Sequence, residues 1–268
     1  MQQTEPTLGA ADNTAVRNGW PPFRAFISPP RAGADNMALD LSLLAEAARG
    51  GQALLRLYRF DPPCLSFGRH EPAQARYDRA AIVRLGIDVV RRPTGGRAVW
   101  HEHEVTYAVA APVALWGSLG DGYRAIHERL AAAVRALGAP ATLAPARTHI
   151  RPLTGGACFA SAVGGEVLVA GRKLIGSAQL REGSAFLQHG SVLLAGSQEI
   201  VARLSRAPAP GQRDTTLFAA LGRPVGFEEA AAAIVAAFGC ASAAERPPAR
   251  TPPMHLARFR DAAWTWRR

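Results

Sequence analysis

The chain has 268 residues, 48% of them hydrophobic, enough for one large domain or two small ones with a sizeable core. Its 31 basic against 21 acidic residues give a net charge of +10, spread without blocks of like charge, which suits acidic partners such as nucleic acid, anionic lipid or an acidic carrier protein. No aromatic RNP segment, Cys/His finger, basic helix, signal-peptide core or membrane-length apolar run accompanies that charge, so the sequence predicts a cytoplasmic protein with no nucleic-acid and no membrane partner.

Residues 1–24 read as a flexible N-terminal segment punctuated by Pro21-Pro22. Asp35 and Asn36 offer an N-cap to an amphipathic helix over Met37 to Ala47, stopped by Gly50-Gly51. Strands follow at 54–60 and 64–67 around Asp61-Pro62-Pro63, then a short helix over 77–85. Strands at 87–91, 98–101 and 105–113 flank a Gly-rich turn and lead to a second long helix over 123–137. Antiparallel strands are predicted at 166–170, 173–180 and 185–194, joined by the tight turns Gly171-Arg172 and Glu182-Gly183. Helices at 197–204 and 227–238 sit among Pro-rich linkers, the last running from Pro247 to Pro253. This order gives an α+β class: a mixed, mostly antiparallel sheet flanked by helices, which are expected on one face.

Four segments carry chemistry. Of the 31 basic residues only Lys173 is a lysine, between an apolar strand and Gly176-Ser177. A lysine is a compact charge on a flexible stem whose pKa falls on desolvation, which arginine cannot imitate. Lys173 is therefore a candidate active-site cation, the alternative being one surface lysine surviving drift toward arginine. The stretch Arg91-Arg92-Pro93-Thr94-Gly95-Gly96-Arg97-Ala98-Val99-Trp100-His101 sets paired glycines and three arginines between strands, a possible cradle for an anion or carbonyl. It carries neither a Walker nor a dinucleotide pattern, and alone it is equally an ordinary glycine hairpin. Cys64, Cys158 and Cys240 are too few and too widely spaced for a disulfide framework or a zinc site. Cys64 and Cys240 read as core residues, and Cys158, among small residues, is not distinguished by its neighbours from an inert thiol. His189, in Gln188-His189-Gly190-Ser191, could be a base, a backbone-fixing partner or a polar strand end. His101-Glu102-His103-Glu104 alternates faces in a strand and offers no third ligand, so no metal site is assigned.

Taken together, residues 91–101 with Glu104, Thr106 and Tyr107, then 171–179, then Leu187 to Ser191, resemble the catalytic domain shared by lipoate-protein ligases and octanoyltransferases. Asn36 to Asp40 and Pro63 to Gly68 fit as well, so the likeness spans roughly residues 25 to 200 in order. The resemblance implies the biotin/lipoate-protein ligase fold, with a catalytic domain over 25–205 and a C-terminal helical extension over 206–268 packed on it. Cys158-Phe159, some fifteen residues before the lysine, is similar to the LipM-type octanoyltransferases, whose nucleophilic cysteine lies in this loop. By that likeness Cys158 and Lys173 are catalytic, and Arg91, Arg92, Gly95, Gly96, Arg97, Ala98, His101, Gly176, Ser177, Ala178 and His189 bind substrate. The implied reaction moves an octanoyl or lipoyl group from acyl carrier protein, through a cysteine thioester, to a lysine of a lipoyl domain of a 2-oxoacid dehydrogenase or of glycine-cleavage H protein, with no cofactor. The alternatives it leaves are a ligase using ATP and Mg, or amidotransfer between lipoyl-bearing proteins. Trp100 and Arg97 depart from the ligase pattern, which often has tyrosine and a third glycine there.

Overall fold

The computed structural model describes residues 21–145, 164–206, 214–244 and 251–267. Its main sheet runs through β10 (Ile175–Glu182), β11 (Ala185–Leu193), β6 (Glu104–Pro112), β2 (Ala53–Tyr58), β1 (Phe23–Ile27) and β12 (Ala243–Ala244). The first four pair antiparallel, and β1 joins β2 and β12 in parallel. Phe23 and Arg24 thus belong to a strand and not to the N-terminal segment.

The expectation of helices on one face is corrected, because both faces are covered. Val105, Tyr107 and Val109 point into a core with α4 (Leu119–Ala136) and α7 (Phe227–Ala237). Ala108 and Ala110 point the other way, toward α1 (Gly33–Gly50) and α8 (Pro253–Arg260). The run Val-Thr-Tyr-Ala-Val-Ala-Ala carries the cause, since a strand apolar at successive positions must be buried on both sides.

Helix α1 also starts earlier than its polar residues suggested. Asn36 turns inward, its amide donating to Arg31 O and Arg59 O, and Asp35 lies in the first turn. The free N–H of Gly33 is satisfied instead by Asp88 Oδ2 at 2.7 Å. A Cβ at Gly33 would sit 2.6 Å from Cys64 Sγ, so packing, not a cap, fixes where the helix begins.

A second sheet, β4 (Asp88–Arg91), β3 (Cys64–Phe67) and β5 (Val99–His101), holds the Gly-rich turn at its end. There a Cβ on Gly68 would lie 1.9 Å from Gly96 O, which admits only glycine. A third, β7 (Ala141–Leu143), β8 (Val167–Val169) and β9 (Arg172–Lys173), carries the lone lysine. The β8–β9 turn centres on Ala170 and Gly171, both with positive φ, one residue before the predicted pair.

The expected linker ending at Pro253 gives way to α8 and α9 (Ala262–Thr265), with Pro253 in the first turn where its missing N–H costs nothing. No helix among the described residues is long and apolar enough to cross a membrane.

Candidate active site

Strands β3, β5, β10 and β11 converge on a half-open pocket. Met37, Tyr58, Phe60 and Val99 supply apolar wall, and Ser66, Thr106 and Ser191 supply hydroxyls. Among the predicted substrate-binding residues, Arg92, His101, Gly176, Ser177, Ala178 and His189 line it. Close packing of β10 on β11 shapes one side. A Cβ at Gly190 would lie 2.3 Å from Gly176 O, so the glycine in Gln-His-Gly-Ser is required by strand contact.

Arg91, Gly95, Gly96, Arg97 and Ala98 are not among the described residues that line this pocket. The Arg91 guanidinium is buried and donates to the carbonyls of Gly68, Arg69, Glu71, Trp264, Thr265 and Arg267. It pins the C-terminal helices to β4, and Trp264 Nε1 returns a bond to Arg91 O. Gly95 O and Arg97 O accept from Arg92, so this turn is folded around that arginine. Ala98 is core, packed with Leu65, Phe67 and Tyr77. Arg92 itself reaches Ser66, donating to its carbonyl at 3.1 Å and its hydroxyl at 3.0 Å.

His189 has both ring nitrogens engaged. Asp40 Oδ2 can only accept, so Nδ1–H donates to it at 2.9 Å, and Nε2 accepts from Thr94 Oγ1–H at 2.6 Å. Asp40 is held in turn by Arg56 Nη1 at 2.7 Å and Tyr58 OH at 2.8 Å, all of them buried. Burial pushes the His189 pKa down, with Asp40 opposing, and so keeps the ring neutral. Both partners are side chains, so the imidazole ties β11 to α1 and to the Gly-rich turn.

Ser177 is oriented by a one-way chain. Gln188 Nε2 donates to Tyr107 OH at 2.9 Å, Tyr107 OH to Ser177 Oγ at 2.6 Å, and Ser177 Oγ to His127 Nε2 at 2.9 Å. His127 Nδ1–H closes it on Tyr123 O at 2.8 Å. Burial, helped by the charge of Lys173, lowers the His127 pKa to about 4, consistent with Nε2 acting as acceptor.

Lys173 does not line the pocket. It is only 2% exposed and its Nζ lies 2.7 Å from Glu166 Oε1, so it is no surface remnant. A buried ammonium without a carboxylate would be very costly, and Glu166 meets that need. Cys158 lies outside the described residues.

Sequence reasoning gives no role to Arg56 or His127, and names Asp40 and Glu104 only within the family likeness and the His-Glu-His-Glu run. Asp40 and Arg56 sit in apolar stretches, where a charged side chain must find a buried partner. That mismatch was the available signal.

A profile for the "Lipoyl protein ligase A/B catalytic domain" matches residues 32–239. An octanoyltransferase LipM of Kyrpidia tusciae is 41% identical over 187 residues, covering 67% of this chain and 68% of the relative. One of Symbiobacterium thermophilum is 38% identical over 232 residues, covering 81% and 85%. In fold the chain is similar to lipoate-protein ligase A bound with ATP, at a TM-score of 0.73 and 18% identity over 92% of this chain and 98% of that one. It is also similar to a bi-partite lipoate protein ligase studied with its E2 lipoyl domain from Thermoplasma acidophilum, at 0.70 and 17%, covering 91% and 96%. The structural likenesses speak for the fold, and the profile, spanning most of the chain, speaks for descent. The chain therefore belongs to the lipoyl protein ligase A/B catalytic-domain family.

Proposed function

We propose that this enzyme is an octanoyltransferase of protein lipoylation, taking its acyl group from octanoylated acyl carrier protein and passing it through Cys158. The likeness to LipM octanoyltransferases over most of both chains carries this reading. Cys158 thiolate attacks the thioester carbonyl, the carrier's thiolate leaves, and an octanoyl-cysteine thioester remains. The amine of an acceptor lysine, on a lipoyl domain or glycine-cleavage H protein, then attacks. An amide C–N bond forms, the C–S bond breaks, and the amine's proton goes to the departing Cys158 sulfur.

A free thiol of pKa ~8.5 is mostly protonated at neutral pH, so a fixed cation near Cys158 raises its reactivity. Lys173 is the residue we assign that task, with Glu166 holding its ammonium in place. The pocket would seat the acyl chain against Met37, Tyr58 and Phe60, with the Ser177 oxygen held at its wall by Tyr107 and His127. The arginine-rich surface would draw acidic carrier and lipoyl domains.

A transfer reading is also favoured over ATP-dependent ligation by how the two adjacent arginines are used. The Arg91 and Arg92 guanidiniums are occupied by main-chain oxygens and a serine, which suits turn-building more than phosphate binding. The test is octanoylation of a lipoyl domain from octanoyl carrier protein with ATP omitted. Wild type should transfer and Cys158→Ser should lose at least about 1,000-fold while unfolding at the same temperature. Full activity in Cys158→Ser, or an absolute need for ATP and free acid, would remove the proposal.

A further inference from the structure

One wall of the pocket holds a second arrangement of reactive type, which the cysteine route does not use. Ser66 on β3 and His101 at the end of β5 both line the pocket. Ser66 Oγ lies 2.7 Å from His101 Nε2, and His101 Nδ1 lies 2.6 Å from Glu104 Oε1. The carboxylate can only accept, so Nδ1 carries the proton and Nε2 is the acceptor facing the serine hydroxyl. Thr106 Oγ1 also donates to Glu104 Oε1, fixing the carboxylate. The Phe60 ring stacks on the imidazole at 4.1 Å and holds its plane. Among the described residues no arginine or lysine is hydrogen-bonded to Glu104, and its Oε2 is buried without a hydrogen-bond partner. The carboxylate's charge is thus available to an imidazolium formed at His101. Arg92 Nη1 donates to Ser66 Oγ at 3.0 Å, which fixes the hydroxyl oxygen while its proton faces His101 Nε2.

We propose that Ser66, His101 and Glu104 form a hydroxyl, imidazole and carboxylate relay that makes Ser66 a second acyl-accepting nucleophile, cleaving activated acyl esters and thioesters of medium chain length. Ser66 Oγ attacks the carbonyl carbon as its proton passes to His101 Nε2, and Glu104 stabilises the imidazolium. The C–O or C–S bond breaks and the leaving group takes the proton from Nε2. Water then attacks the O-acyl serine, giving one proton to Nε2. The ester C–Oγ bond breaks, Ser66 Oγ recovers that proton, and the carboxylic acid leaves. The net reaction is hydrolysis and needs no other reactant. It would discharge acyl groups for which no acceptor lysine arrives.

The test uses the full chain and p-nitrophenyl octanoate. Cys158→Ala removes the thiol route, and p-nitrophenol release that remains is expected to fall at least about 100-fold when Ser66→Ala is added. Intact mass of the Cys158→Ala protein should show an octanoyl adduct that survives neutral hydroxylamine, as an oxyester does and a thioester does not, mapping to the peptide with Ser66. Ser66→Cys in the same background should convert it to a hydroxylamine-labile adduct, which keeps the test decisive if Ser66→Ala unfolds. Release that vanishes in Cys158→Ala, or is unchanged by Ser66→Ala with no adduct at residue 66, would overturn the proposal. Transfer to an acceptor lysine by Cys158→Ala would instead count against the cysteine route, so the two failures are distinct.

Discussion

The two histidines of the pocket have the same local chemistry and opposite consequences. His189 and His101 are both buried, and each gives its Nδ1 proton to a buried carboxylate. Asp40, beside His189, is already paired with the fully buried Arg56. Its charge is spent, His189 is held neutral, and Nε2 is filled by Thr94, so this half fastens α1 to β2 and β11. Glu104, beside His101, has no hydrogen-bonded arginine or lysine among the described residues, and the Nε2 it orients faces a serine hydroxyl on the pocket wall. Whether a buried carboxylate–histidine pair is a strut or a chemical device depends on what else neutralises the carboxylate.

That contrast can be broken from either side. Asp40→Ala leaves the Arg56 guanidinium buried and unpaired, and should cost about 3–5 kcal/mol in urea unfolding. Glu104→Gln removes a charge that no cation balances. It should cost under about 2 kcal/mol while the hydrolysis assigned to Ser66 falls about 100-fold. The reverse ranking of stabilities would erase the distinction.

His127 extends the comparison to a histidine with no carboxylate. Its pKa of about 4 in the folded protein lies below the unfolded ~6.5, so the unfolded chain binds the proton first. Stability should therefore be full above about pH 6.5 and be lost as pH falls toward about 4, by roughly 3 kcal/mol for this group. His189, also lowered, adds in the same sense. His127→Gln, which can bond both Tyr123 O and Ser177, should flatten part of that slope in urea midpoints taken from pH 7 to pH 4. An unchanged slope would contradict it.

The smallest effect separates the neighbouring arginines. Arg91→Met should loosen residues 253–267, seen as faster amide exchange there and about 1–3 kcal/mol of lost stability, with acyl transfer retained. Loss of transfer with no change in exchange would return Arg91 to the pocket.

Much of the sheet was readable from the chain because alternation and glycine turns are local: β4, β5, β6, β10 and β11 fall within a residue or two of their predicted spans. What local pattern could not show was which guanidinium faces a ligand. Arg91 and Arg92 are adjacent in a strand end, and only the distant C-terminal carbonyls decide that the first is structural. The same holds for Asp40 and Arg56, which meet only when α1 packs on β2. The lone lysine is conspicuous by composition, and its carboxylate partner Glu166 is not, although it immediately precedes the strand that pairs with Lys173. Helix α8 was missed because Pro252 and Pro253 were taken for a linker when they start a helix.

The most direct test of the account is intact mass after incubation with octanoyl carrier protein and no ATP, comparing wild type with Cys158→Ala. A gain of one octanoyl group in wild type that neutral hydroxylamine removes, absent from the variant, is the predicted result. No labile adduct in wild type, with acceptor modification appearing only when ATP and free octanoate are supplied, would contradict acyl transfer through Cys158.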